Sequence, residues 1–166
     1  MSFFGNFGVR GRGYDVEDLQ GVLSRILGLD RTWSTVVMGA GRLGSALTSY
    51  PEFANQGFDI VAIFDNDPGK HGRQVGTSRV MAVEELDGYA RREGVSIGII
   101  ATPAVAAQES AERLVSAGIR GILNFAPTTL DVPADVSVRN VNLAIELEGL
   151  SFAINEAENL EMGEKL

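Results

Sequence analysis

Cysteine is absent from this chain of 166 residues, so neither a disulfide framework nor a thiolate metal site is available. A single histidine, His71, excludes a histidine cluster, leaving carboxylates as the only candidates for holding a hard cation. No uncharged apolar run approaches the about 20 residues that span a bilayer, and no leader pattern opens the chain. The expectation is a cytoplasmic protein with neither a membrane nor a metal among its partners. Positive charge is scarce as well: 14 Lys and Arg stand against 22 Asp and Glu, a formal net charge of −8. That balance argues against nucleic-acid binding over the whole surface. What remains, 45% hydrophobic and 22% charged residues, is ordinary for one globular domain with a respectable core.

The opening segment "MSFFGNFGVRGRGY" is rich in glycine and aromatics, with Arg10 and Arg12 its basic residues. Such a composition suits a loop or hairpin tip rather than the start of a self-contained domain. Asp15 is placed to cap a first helix, "VEDLQGVLSRIL", whose Val16, Leu19, Val22, Leu23, Ile26 and Leu27 share one face. Gly28 stops it.

From Thr35 the pattern alternates between apolar runs and helical periodicity. "TVVMG", "DIVAIFD", "SRVMAV", "SIGIIAT", "IRGILNFA" and "VSVRNV" read as strands, and "LGSALTSY", "EELDGYARREG" and "AVAAQESAERLVSAG" as helices. Continuous aliphatic strands separated by helices indicate a parallel sheet covered on both faces. The predicted fold is a Rossmann-like, doubly wound α/β domain with a mostly parallel sheet over residues 32–141, preceded by a linker helix at 15–31. Asn142 is a possible cap for a last helix within 142–166, where Leu143, Leu147, Leu150, Ile154 and Ala157 fall at three- and four-residue steps. Ile145, Phe152 and Ala153 widen that apolar face. The pattern by itself leaves open whether this helix packs on its own sheet or on another subunit.

The run "TVVMGAGRLGSALTSY" carries Gly-x-Gly-x-x-Gly between a strand and a helix, the context this motif requires. Gly39 would make the tight turn, Gly41 would let the backbone approach a pyrophosphate, and Gly44 would let the helix pack on the strand. The backbone of Ala40, Arg42 and Leu43 completes the turn, with helix amides and the helix dipole favouring phosphate charge. Asp65 ends the next strand, about 20 residues beyond the turn, where a carboxylate accepts from the adenosine ribose hydroxyls. With no arginine directly after it in "DNDPGK", NAD(H) is expected over NADP(H). Two further strand ends point to the same crevice: Thr102 and Pro103 in one, and Asn124, Phe125, Ala126 and Pro127 in the other. They are candidates for the nicotinamide half, although each loop alone also reads as ordinary turn chemistry.

A dehydrogenase needs an acid or base within reach of its substrate, and no catalytic residue is evident. His71 reads as a solvated loop residue, and Tyr50 and Tyr89 lack the nearby lysine of a Tyr-x-x-x-Lys pair. Two alternatives stay open on the residues alone. One is a small NAD-dependent oxidoreductase fragment, the other a coenzyme A-binding module with a similar glycine turn.

The segments "FFGNFGVRGRGYDVEDL", "GAGRLGSAL", "FDNDP", "GIRGILNFAP" and "VRNVNLAIELEGLSFAI" resemble the Rex family of redox-sensing transcriptional repressors over nearly the whole chain. The resemblance implies binding of NADH and NAD+, a homodimer, and release of operator DNA when NADH rises. It implies that residues 1–14 are the remnant of a winged-helix domain, with Arg10 and Arg12 at DNA-contacting positions of its wing. The chain would then be a shortened form of such a repressor, lacking the groove-entering helices and binding NAD(H) but not DNA. It also implies a C-terminal helix exchanged between subunits, with Asn142 and Leu143 near the partner's nicotinamide and Tyr50 near the same pocket.

Overall fold

The structure, a computed structural model, describes residues 16–163. Arg10, Arg12, the wing reading of residues 1–14, the Asp15 cap and the tail beyond Gly163 lie outside the described residues. In chain order the elements are α1 (Val16–Ile26), β1 (Trp33–Met38), α2 (Arg42–Thr48), α3 (Pro51–Asn55), β2 (Phe58–Asp65), β3 (Gln74–Val75), β4 (Ser78–Ala82), α4 (Leu86–Glu93), β5 (Ile97–Ile100), α5 (Ala104–Ser116), β6 (Gly121–Asn124), β7 (Ser137–Asn140) and α6 (Leu143–Gly163), with 3-10 turns at Pro68–Lys70 and Val83–Glu85.

The strands form one sheet in the order β3-β4-β2-β1-β5-β6-β7. All neighbours are parallel except β3, which pairs antiparallel with β4 at the edge. Setting β3 aside, the strand order reverses between β1 and β5, the switch point of a doubly wound dinucleotide-binding sheet. The expected fold class is the one observed. Two elements were not legible beforehand. Pro51 starts α3 as a separate short helix after α2 ends at Thr48, because proline at a first helical position is preorganised for it. The two-residue β3 is too short to show any alternation.

Alternating side chains send each central strand's residues to opposite faces. Val36, Met38, Phe64 and Ile100 pack with Leu86, Leu114 and Ile119 beneath α4 and α5. Val37, Ile63, Val80 and Ile99 pack on the other face with Leu47 and Phe53. On that second face α2 and α3 lie over β1 and β2, while Leu123 and Phe125 at the β6 end are left half-buried.

The terminal helices differ in kind. No residue of α1 is buried, and Leu143, Ile145, Leu147, Leu150, Phe152 and Ile154 of α6 are all exposed. Asn142 caps α6 as anticipated, its Oδ1 accepting from Ala144 N at 3.1 Å and Ile145 N at 3.3 Å.

Candidate functional site

The glycine turn follows directly from β1. Gly39 has φ +103°, and a Cβ there would lie 2.7 Å from the Ala101 carbonyl oxygen. Only glycine combines that backbone with that approach. A Cβ on Gly44 would overlap the Gly39 carbonyl oxygen, so α2 sits on the strand closer than any side chain permits. Gly41 contrasts with both. Its φ of −80° is ordinary, and a Cβ there would meet nothing within 4 Å. The fold does not need glycine at 41, whereas a ligand lying against the backbone would. No side chain caps α2, so its first amides remain available to an anion.

Asp65 closes the turn from the next strand. Its Oδ2 accepts from Ala40 N at 2.7 Å and from Lys70 Nζ at 3.0 Å, and its Oδ1 accepts from Asp67 N at 2.9 Å. Burial alone would raise this carboxyl, but the Asp67 and Ala40 amides and the Lys70 ammonium together hold it below its ordinary value. The carboxylate therefore braces the glycine turn as well as facing the crevice. Lys70 is a site residue that sequence reasoning missed. It lies five positions along, and the 3-10 turn at Pro68–Lys70, capped by Asp67 Oδ1 on Gly69 N at 2.9 Å, brings it back. The Asx-Pro-Gly turn in "DNDPGK" was the available signal. His71 also departs from expectation. Its Nε2 lies 2.8 Å from the Asp65 carbonyl oxygen, so the ring is tied to the strand end rather than loose in solvent.

Gly39, Gly41, Asp65, Lys70, Thr102 and Pro103 line one crevice of about 400 Å³, together with Ser110 and Arg113 from α5. It opens at the carboxyl ends of β1, β2 and β5, beside the switch point. The Thr102 hydroxyl oxygen is shielded from solvent and has no hydrogen-bond partner among the described residues. A buried polar atom left unpaired costs about 1–3 kcal/mol, and the residue that carries this one lines the crevice. Arg113 donates to Glu109 Oε1 at 3.1 Å on the rim. Nothing in the apolar periodicity of α5 marked Ser110 or Arg113, because the crevice side of that helix is set by how it docks.

The remaining candidates are placed differently. The Asn124 side chain, 1% exposed, is spent internally. Its Nδ2 donates to Thr128 O and Asn140 Oδ1, both at 2.9 Å, and its Oδ1 accepts from Ala126 N at 3.0 Å. It shapes the turn through Phe125, Ala126 and Pro127 instead of presenting an amide to a ligand. Tyr50 lies at the start of α3, edge-on to Phe53 with ring centroids 5.2 Å apart, in a separate cleft with Phe58 and Gly76. Leu143 is exposed at the start of α6. Neither Tyr50 nor Leu143 lines the crevice of its own chain. Among the described residues no group of three or more His, Asp or Glu side chains is disposed to hold a metal, and no helix is long and apolar enough to cross a membrane.

A family profile described as a CoA binding domain matches residues 30–128. The chain is 51% identical over 93% of its length to the redox-sensing transcriptional repressor Rex of Carboxydothermus hydrogenoformans, covering 74% of that protein. It is 47% identical over 99% of its length to the Rex repressor of Desulforamulus reducens, covering 76% of it. Among solved structures, the Rex-family repressor RSP in complex with β-NAD+ and operator DNA superposes with a TM-score of 0.81 at 42% identity, over 95% of this chain and 73% of that one. RSP in complex with β-NADH gives a TM-score of 0.79 at 42% identity, over 90% of this chain and 73% of that one. Fold, glycine turn and relatives of this similarity agree: the chain belongs to the Rex family of redox-sensing transcriptional repressors.

Proposed function

We propose that this chain reads the balance of NADH and NAD+ and turns it into a change in the arrangement of two subunits, without consuming the coenzyme. The observation that carries the reading is the meeting, in one crevice, of Gly39 and Gly41 of the glycine turn, Asp65 and Thr102. The amides after Gly41 would hold the diphosphate. Asp65 keeps acceptor capacity on Oδ1 for a ribose hydroxyl, and Lys70 has donors to spare. Asp65 disfavours a 2′-phosphate, and Lys70 offsets part of that repulsion, so NADH is preferred to NADPH by a moderate margin. The nicotinamide half falls to the turn at Asn124–Pro127 and to Thr102 and Pro103.

The second part of the reading concerns what covers the terminal helices. At 100° per residue, Leu143, Leu147, Leu150 and Ile154 form one stripe of α6, and Ile145 and Phe152 lie nearly opposite. Apolar side chains on both sides suit a helix held between two surfaces. The half-buried Leu123 and Phe125 offer one such surface on the sheet, and the exposed face of α1 another. A second copy of this chain, exchanging α6, supplies both, and brings Asn142, Leu143 and Tyr50 within the dimer's reach of the coenzyme. A ligand biases such an equilibrium only through differential affinity for its two states. A ratio of about 100 between them supplies about 2.7 kcal/mol. In a full-length parent, operator DNA would be the partner of the repressing state, with Arg10 and Arg12 on its backbone, and the site of action is the cytoplasm.

The coenzyme A reading keeps one point in its favour, the description of the domain profile that matches residues 30–128. Calorimetric titration with NADH, NAD+, NADPH and coenzyme A decides between the two. We expect NADH to bind most tightly, with no oxidation in the presence of small ketones or aldehydes. Coenzyme A binding in preference to both nicotinamide nucleotides would overturn the proposal.

A further inference from the structure

None of the side chains of α1 is buried, yet the end of this helix is closed and held. Leu29 N donates to Ser24 O at 2.8 Å and Gly28 N to Arg25 O at 3.1 Å, the paired bonds of a Schellman turn. Gly28 occupies the left-handed position at φ +67°. Its carbonyl accepts a hydrogen bond from Trp33 Nε1 at 2.8 Å. A Cβ at position 28 would stand 2.8 Å from Trp33 Cζ2, so the indole lies directly on the glycine. The Arg31 guanidinium stacks over the ring, 3.6 Å from its centroid.

Trp33 is also the first residue of β1, its own amide donating to Gly57 O at 2.7 Å. The strand then runs through Val36 and Val37, both 0% exposed, to Met38 and the glycine turn. There Gly39 N donates to Phe64 O and Ala40 N to Asp65. Six residues of strand span about 20 Å. One buried and hydrogen-bonded strand thus has the coenzyme turn at its far end and the seat of α1 at its near end.

We infer that Trp33 is a positioning residue that fixes the direction in which α1 leaves the dinucleotide-binding body. Reorientation of the body is thereby passed to α1 instead of being absorbed in the connection at residues 28–32. Without the indole contact this short connection would keep its rotational freedom, decoupling the helix from the sheet. The seating of α1 is a property of the fold; the transmission rests on the coenzyme-dependent rearrangement proposed above.

The chain has no cysteine and one tryptophan, so spin labels can be placed uniquely. Asp18→Cys in α1 and Arg91→Cys in α4 report the angle between helix and body by pulsed electron resonance, with labelled chains diluted in unlabelled ones. We expect a narrow intrachain distribution that NADH leaves in place, whereas Asp18→Cys alone, undiluted, should give an α1-to-α1 distance between subunits that NADH shifts. In Trp33→Ala the intrachain distribution should broaden and the NADH-dependent shift between subunits disappear, while the Kd for NADH is unchanged. Trp33→Phe keeps an aromatic ring beside Gly28 but loses the donor and part of the indole contact, and an intermediate width is expected there. Equal intrachain widths in Trp33→Ala, Trp33→Phe and the parent would overturn the inference, as would an intrachain shift with NADH in the parent or an intersubunit shift that survives Trp33→Ala. If the parent itself fails to bind NADH, the sensor reading falls, and the widths still decide the role of Trp33.

Discussion

The sheet and the two terminal helices of this chain obey opposite rules. In the sheet Val36, Val37, Ile63, Phe64 and Ile100 are all 0% exposed, and even the polar Asn124 and Asp65 have their partners within the chain. In α6, Leu147 and Phe152 are 66% and 63% exposed, although their side chains are as apolar as those of the core. Burying a leucine or phenylalanine is worth about 1.5–3 kcal/mol, so a helix with this many exposed ones is stable only when something covers it. The body is complete in one chain and the helices are not. The site divides along the same line: the crevice proposed for the adenosine half is lined from β1, β2 and α5 of one chain, while Tyr50 and Leu143 stand away from it.

The sharpest way to break this comparison is to charge the helix. Leu147→Glu combined with Ile154→Glu should convert an assembly of twice the 17.7 kDa chain mass into a monomer in sedimentation, with the sheet still folded by circular dichroism. A doubly substituted chain that stays dimeric would show that α6 is not covered by a second copy. Next in size is Asp65→Ala. It removes a buried acceptor from Ala40, Asp67 and Lys70, with charge-assisted bonds worth about 1.5–3 kcal/mol each. NADH should bind about 100-fold more weakly, read by calorimetry.

The two glycines of the turn separate folding from binding. In Gly44→Ala the new methyl overlaps the Gly39 carbonyl oxygen. Overpacking of this kind costs about 1–3 kcal/mol, a fall in Tm of about 5–10 °C. Gly41→Ala meets open space, so Tm should hold while NADH affinity drops about tenfold. Equal losses of Tm in both would mean that Gly41 serves the fold and not a ligand. The smallest effect is on pH. The Asp65 carboxyl is held below its ordinary value, so the stability it contributes is present above the unfolded value of about 3.9 and lost as pH falls through the lower folded value. The Tm of Asp65→Asn should therefore fall less steeply than the parent's on acidification through that range.

Much of this was legible in advance where the signal is local. Gly39 and Gly44 each announce a backbone or contact requirement within one turn, and Asp65 ends an apolar run at a strand terminus. The capping role of Asn142 likewise depends only on its two neighbours along the helix. Lys70 is not singled out by the sequence and His71 reads there as a solvated loop residue, because a 3-10 turn folds both back on Asp65 and a turn's direction is not carried by its composition. Asn124 reads in sequence both as a ligand contact and as ordinary turn chemistry, and its side chain serves the turn. Its partners Thr128 and Asn140 meet it only once β7 is paired beside β6.

By itself the amino-acid order determined the alternation of strands and helices, the glycine turn, and the presence of apolar faces at both ends of the described chain. Periodicity and backbone sterics act over a few residues and can be read from them. Only the tertiary structure decided which side chains reach the crevice, that Asp65 braces the turn it faces, and that α1 is seated on Trp33. Those outcomes depend on strand order and helix docking, which bring together residues far apart in the chain.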